Sequence, residues 1–136
     1  AALERHDDVH RHEVGLELAV LLDCLKSRLG LADDLASAAR ATPGIGQAKP
    51  APSARAAIDG ADVVVTAASF GPIRQVMTND WLVPHALIVP VDYATYCAAE
   101  VARDADLFLV DHRDQFLANR DAGLFDNYPD PSAMLG

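Results

Sequence analysis

Apolar and polar positions along the chain alternate between short aliphatic runs and longer stretches of helical spacing. The clearest runs are residues 61–66 (ADVVVT), 86–91 (ALIVPV) and 107–110 (LFLV). Three consecutive valines predict a strand buried on both faces, as parallel sheets require. Pro90 limits pairing at the end of the second run. A further run, residues 16–23 (LELAVLLD), reads either as a buried strand or as part of a helix. Strand, turn and helix is the preferred reading, because one long helix would leave Asp23 and Cys24 unexplained in its middle. Residues 27–40 carry Leu29, Leu31, Ala32, Leu35, Ala36 and Ala39 at helical spacing, and Thr42-Pro43-Gly44 stops that helix.

Between these runs the chain reads as connections and short helices. Residues 1–6 read as the tail of a helix and residues 7–12 as a polar surface connection. Residues 45–48 predict a short strand, and Lys49-Pro50-Ala51-Pro52 a stiff extended link. Ser53 is placed to cap a helix over 54–59 that Gly60 ends. A small-residue loop over 67–72 follows, then a capped helical turn over 78–82. Residues 95–103 and 112–122 have helical patterns, the second stopped by Gly123, and the tail 124–136 reads as a connector. Buried strands alternating with helices predict an α/β fold, an open doubly wound parallel sheet that is Rossmann-like.

Composition narrows the class. The 136 residues are 51% hydrophobic and 23% charged, which suits one globular domain and is too apolar for a disordered chain. Aromatics make up only 6%, so Ala, Val and Leu carry the packing. The formal net charge is -9 with no basic run, which argues against nucleic acid and anionic membrane surfaces as partners. Residues 14–22 are apolar but interrupted by Glu17 and too short to span a bilayer. The two cysteines, Cys24 and Cys97, are expected to be buried free thiols in a reducing cytoplasm. The cysteines have no zinc-type spacing, and the polar cluster His6, His10 and His12 reads as solvated surface in preference to a metal site.

Ligands of open parallel sheets bind beyond the carboxyl ends of the strands, which selects the residues that could carry chemistry. Asp23 ends its run where a carboxylate can accept from ribose hydroxyls and repel a 2′-phosphate, or it caps the following helix. Lys26 and Arg28 nearby leave NADP open beside NAD, since basic residues can hold a 2′-phosphate. Thr66, Ala67, Ala68 and Ser69 are small residues after a strand, which permit close approach of a flat cofactor. Val91 ends the next run, and Asp92 beyond it is the sharpest catalytic candidate, as a general base, or else a turn residue. Tyr93 and Tyr96 either orient a substrate or pack, His112 caps or covers a helix start, and His85 occupies a turn where glycine would be comfortable. Gly44-Ile45-Gly46 is not a phosphate loop, because no helix follows at the required spacing.

Residues 59–69 (DGADVVVTAAS), 81–92 (WLVPHALIVPVD) and 105–111 (ADLFLVD), in that order and spacing, resemble the cofactor domain of the ornithine cyclodeaminase / μ-crystallin family. Residues 20–28 (VLLDCLKSR) resemble that family's second strand and ribose-binding turn, so the likeness runs from about residue 19 onward. The resemblance implies an NAD(P)-dependent enzyme acting on amino or imino acids, with hydride moving between the substrate α-carbon and the nicotinamide. It implies cofactor contacts from Asp23, Lys26, Ser27, Thr66, Ala67, Ala68, Ser69 and Val91, and a catalytic role for Asp92. It further implies that residues 1–123 form a dinucleotide-binding domain incomplete at its N-terminus, which begins just after the glycine-rich phosphate loop, so that the parent protein is the expected enzyme and this chain alone is expected to be inactive. Residues 124–136 would then lead towards a further segment, and a homodimer would form through a domain outside this chain. Two other readings stay open: a non-catalytic, crystallin-like binding module, and a shikimate-dehydrogenase-like NADP domain that shares the ADVVVTAAS grammar.

Overall fold

The computed structural model describes residues 31–67, 75–92 and 96–135. The expected helix tail at 1–6, the run 16–23 and the first turn of the helix at 27–30 lie outside them. Four helices and four strands follow one another as α1 (Leu31–Arg40), α2 (Ala54–Ile58), β1 (Val63–Thr66), β2 (Leu87–Pro90), α3 (Ala99–Asp104), β3 (Leu109–Val110), α4 (Arg113–Asp121) and β4 (Ala133–Met134). A 3-10 turn, Asn79–Trp81, lies between β1 and β2. The mixed α/β class and its parallel pairing agree with the sequence.

Most helix ends obey local chemistry that is visible in the sequence. The Ser53 side chain accepts from the Ala56 amide at 3.1 Å and so caps α2. His112 caps α4 in the same way, its Nδ1 accepting from the Gln115 amide at 3.2 Å. Gly123, at φ 83°, closes α4 in the left-handed conformation, with its amide donating to the Arg120 carbonyl. His85 adopts φ 69°, which is why that turn would suit glycine. Thr78 precedes the 3-10 turn, but its hydroxyl does not cap it and donates instead to the Asp80 carboxylate. The Asn79 amide is met by Glu100 at 2.9 Å.

β1 and β2 pair in parallel, with Val63 opposite Leu87 and Thr66 opposite Pro90. Alternation then sorts the side chains by face. Val64, Thr66 and Ile88 face a core of Ile58, Ala61, Met77, Tyr96, Cys97 and Val101, with Trp81 and Leu82 at its margin. Val63, Val65, Leu87 and Val89 share the opposite face, where Leu87 and Val89 are exposed. β3 and β4 form a second parallel pair, with Leu109 opposite Ala133. Phe108 and Val110 pack on an aromatic cluster of Phe116, Phe125 and Tyr128. In that cluster Phe108 meets Phe116 edge-on at 5.6 Å.

Four expectations change. The described strands form two separate two-stranded sheets rather than one open sheet. Pro90 has no amide to give to a ladder and β3 is two residues long, so no hydrogen-bonded ladder joins β2 to β3. Residues 45–48 form no strand; Ala48 is instead buried against Ala36 and Ala39 of α1, and Arg40 donates to its carbonyl at 2.6 Å. α3 starts at Ala99, later than residue 95, because the Tyr96 carbonyl accepts from the amides of Val76 and Met77 and holds the backbone extended. The tail 124–135 is no free connector: Tyr128 is buried, β4 pairs with β3, and Asp130 meets Arg120 at 2.7 Å.

The Tyr128 hydroxyl donates to the Cys97 carbonyl at 2.6 Å inside the core and joins the tail to the first cluster. Tyr128→Phe leaves that buried carbonyl short of a donor. It is expected to lower stability by about 1–2 kcal/mol in urea unfolding; an unchanged midpoint would show that the tail is not anchored there.

Candidate functional site

The carboxyl ends of β1 and β2 lie side by side, β1 ending on Thr66 and β2 on Pro90. Thr66 closes the valine run of β1 with its side chain on the core face, where it is 0% exposed. A hydroxyl buried so completely needs a partner. Asp92, two residues beyond the end of β2, supplies it: the Thr66 hydroxyl donates to Asp92 Oδ1. The other carboxylate oxygen, Oδ2, accepts from the Tyr96 amide at 2.7 Å. Between these side chains the ladder runs one step past the strands, with the Val91 amide donating to the Thr66 carbonyl at 2.8 Å.

Asp92 therefore joins three pieces of chain: the end of β1, the end of β2 and the lead into α3. It remains half-buried, and each of its carboxylate oxygens holds one internal donor. Ala67 and Val91 flank it at the same edge, both exposed. Of the candidates from the sequence, the structure brings Thr66, Ala67, Val91 and Asp92 together. Asp23, Lys26, Ser27, Ala68 and Ser69 lie outside the described residues, as does Tyr93.

Tyr96 resolves towards packing. It is buried, and its ring meets Trp81 edge-on at 6.3 Å. Arg55 stacks over the same indole at 5.5 Å and pairs with Asp80 at 3.0 Å. The Thr78 hydroxyl holds the Asp80 carboxyl below its ordinary value; desolvation opposes it, and the Arg55 charge adds a smaller lowering. His112 caps α4 away from this edge. Among the described residues no group of three or more His, Cys, Asp or Glu could hold a metal ion, and no helix is long and apolar enough to cross a membrane.

Two participants escaped the sequence. One is the Tyr96 amide, a backbone group without a sequence signature. The other is Gln75, which re-enters the core at φ 55° after residues 68–74. Its Oε1 accepts from the Ala99 amide at 3.0 Å, while its Nε2 donates to the Asp126 carbonyl at 2.7 Å. One side chain thus ties the N-terminus of α3 to the tail. The Thr66–Asp92 bond did have a signal, since both residues are the polar ends of adjacent aliphatic runs.

Cys97 lies beneath this edge as a free, buried thiol. Burial raises its pKa from the ordinary 9.0 to about 11, opposed by the Tyr128 hydroxyl and reinforced by the Asp92 charge. The folded state therefore favours the thiol. Its contribution to stability is complete below the unfolded pKa near 9.0 and is lost as pH rises towards about 11. In a Cys24→Ser background, Cys97 is expected to react with a thiol reagent at pH 8 only as fast as the protein opens. Equal rates for native and urea-unfolded protein would contradict its burial. No family model matches the chain, and neither a curated protein nor a solved structure matches it.

Proposed function

We propose that the chain is the cofactor-binding part of an NAD(P)-dependent amino-acid or imino-acid enzyme of the ornithine cyclodeaminase type, built on a Rossmann-like fold. One observation carries this reading: Thr66 and Asp92 meet at the coincident carboxyl ends of two adjacent parallel strands. That is where open parallel sheets place their ligands. The small exposed side chain of Ala67 leaves room there for a flat ring, and Val91 offers it an apolar surface. The nicotinamide of a bound dinucleotide would supply the hydride acceptor for the substrate α-carbon.

In this reading Asp92 faces the substrate and takes a proton from its amino group as general base. A carboxylate has about four acceptor positions, so the two used by Thr66 and Tyr96 leave others for a ligand. Asp23, Lys26 and Ser27 would hold the adenosine ribose, and Ala68 and Ser69 would continue the contacts begun by Ala67; Thr66, expected from the resemblance to touch the cofactor, is wholly buried and would act through Asp92 instead. NAD is the expected cofactor, with NADP admitted by Lys26 and Arg28. The free thiol of Cys97 suits a cytoplasmic setting. A homodimer through a domain outside this chain completes the proposal.

The double engagement of the Asp92 carboxylate also favours a second reading, a dinucleotide-binding module without chemistry. Calorimetric titration of the parent protein with NAD(H) and NADP(H) tests what the two share. Binding of at least one is expected, and binding of neither removes both. Asp92→Asn separates them: loss of about 100-fold or more in amino-acid turnover is expected for a general base, whereas unchanged turnover leaves the binding module.

A further inference from the structure

We propose that Thr66 is the positioning residue of this site, its hydroxyl setting the orientation in which the Asp92 carboxylate meets a ligand. The inference rests on the reading of Asp92 as the group that faces substrate. A lone aspartate on a half-exposed turn can rotate about its terminal torsion at little cost, because that torsion is broad. Two donors from different parts of the chain remove this freedom. The Thr66 hydroxyl holds Oδ1 from β1, and the Tyr96 amide holds Oδ2 from the lead into α3.

These anchors are themselves fixed. Thr66 is fully buried, and its carbonyl is bonded to the Val91 amide, so its hydroxyl has a set position relative to β2. Tyr96 is buried and its carbonyl accepts from both Val76 and Met77. Of the two donors only the hydroxyl belongs to a side chain, so it alone can be removed by substitution while the strand is kept. Valine matches threonine in shape and suits the aliphatic run of β1. The substitution Thr66→Val therefore deletes the donor and little else, and Thr66→Ser restores it.

The test measures steady-state turnover of L-alanine and L-ornithine with NAD+ by the parent protein in its wild-type, T66V and T66S forms. For T66V, kcat is expected to fall by about 10–100-fold, the scale of a small misplacement of a reacting group. KM for NAD+ should stay within about twofold, because ground-state binding does not depend on this hydroxyl, and T66S should recover most of kcat. Wild-type kcat in T66V, or a T66S variant as slow as T66V, overturns the proposal. Should T66V fail to fold, T66A is read by the same criteria.

If the wild-type protein turns over neither amino acid, the proposed reaction falls. The hold of Thr66 on Asp92 is then read from hydrogen exchange of the Tyr96 amide. Exchange about tenfold faster in T66V and normal in T66S supports it, and unchanged exchange in T66V overturns it.

Discussion

Residues 96–98 enter the core ahead of α3, and a buried backbone must have its amides and carbonyls satisfied. The rest of the described structure is arranged around that demand. Asp92 takes the Tyr96 amide, Val76 and Met77 give to the Tyr96 carbonyl, and Tyr128 gives to the Cys97 carbonyl. The Met77 carbonyl takes the Ala98 amide, and Gln75 takes the Ala99 amide. The donors and acceptors come from the end of β2, from the segment after residues 68–74, and from the tail. Segments distant in sequence are thereby held in one register, and the candidate site is one edge of this arrangement.

Site and core share parts for that reason. Thr66 belongs to the buried face of β1 and also holds the half-buried Asp92 carboxylate. Cys97 is a core residue whose pKa is raised chiefly by burial, with the Asp92 charge adding to it. Because the carboxylate is anchored from both sides, a ligand bound there as proposed would meet it already oriented, at a lower cost of ordering.

Much of the fold was legible because the governing signals are local. Ser53, Gly60 and Gly123 mark helix ends through chemistry confined to one turn, and three consecutive valines mark β1. The later start of α3 was not legible, since it depends on two amides some twenty residues upstream rather than on the helical pattern of residues 95–103. Nor was the role of the tail, where Tyr128 matters through a hydroxyl that finds a carbonyl 31 positions away. The site divides in the same way. Thr66 and Asp92 stood out as polar ends of aliphatic runs, whereas the Tyr96 amide and the Gln75 bridge exist only in three dimensions. The parallel pairing of β1 and β2 followed from their composition; the exposure of Leu87 and Val89 did not, because such runs predict burial on both faces.

The central claim is that the joined carboxyl ends of β1 and β2 form a dinucleotide site. Amide spectra of isotopically labelled protein, recorded during titration with NAD(H), test it most directly. The account predicts saturable shifts concentrated at Ala67, Val91, Asp92 and Tyr96, with little change at Phe116 and Ala133. Saturable shifts centred on α4 and β4, or none at the Thr66–Asp92 edge, would contradict it.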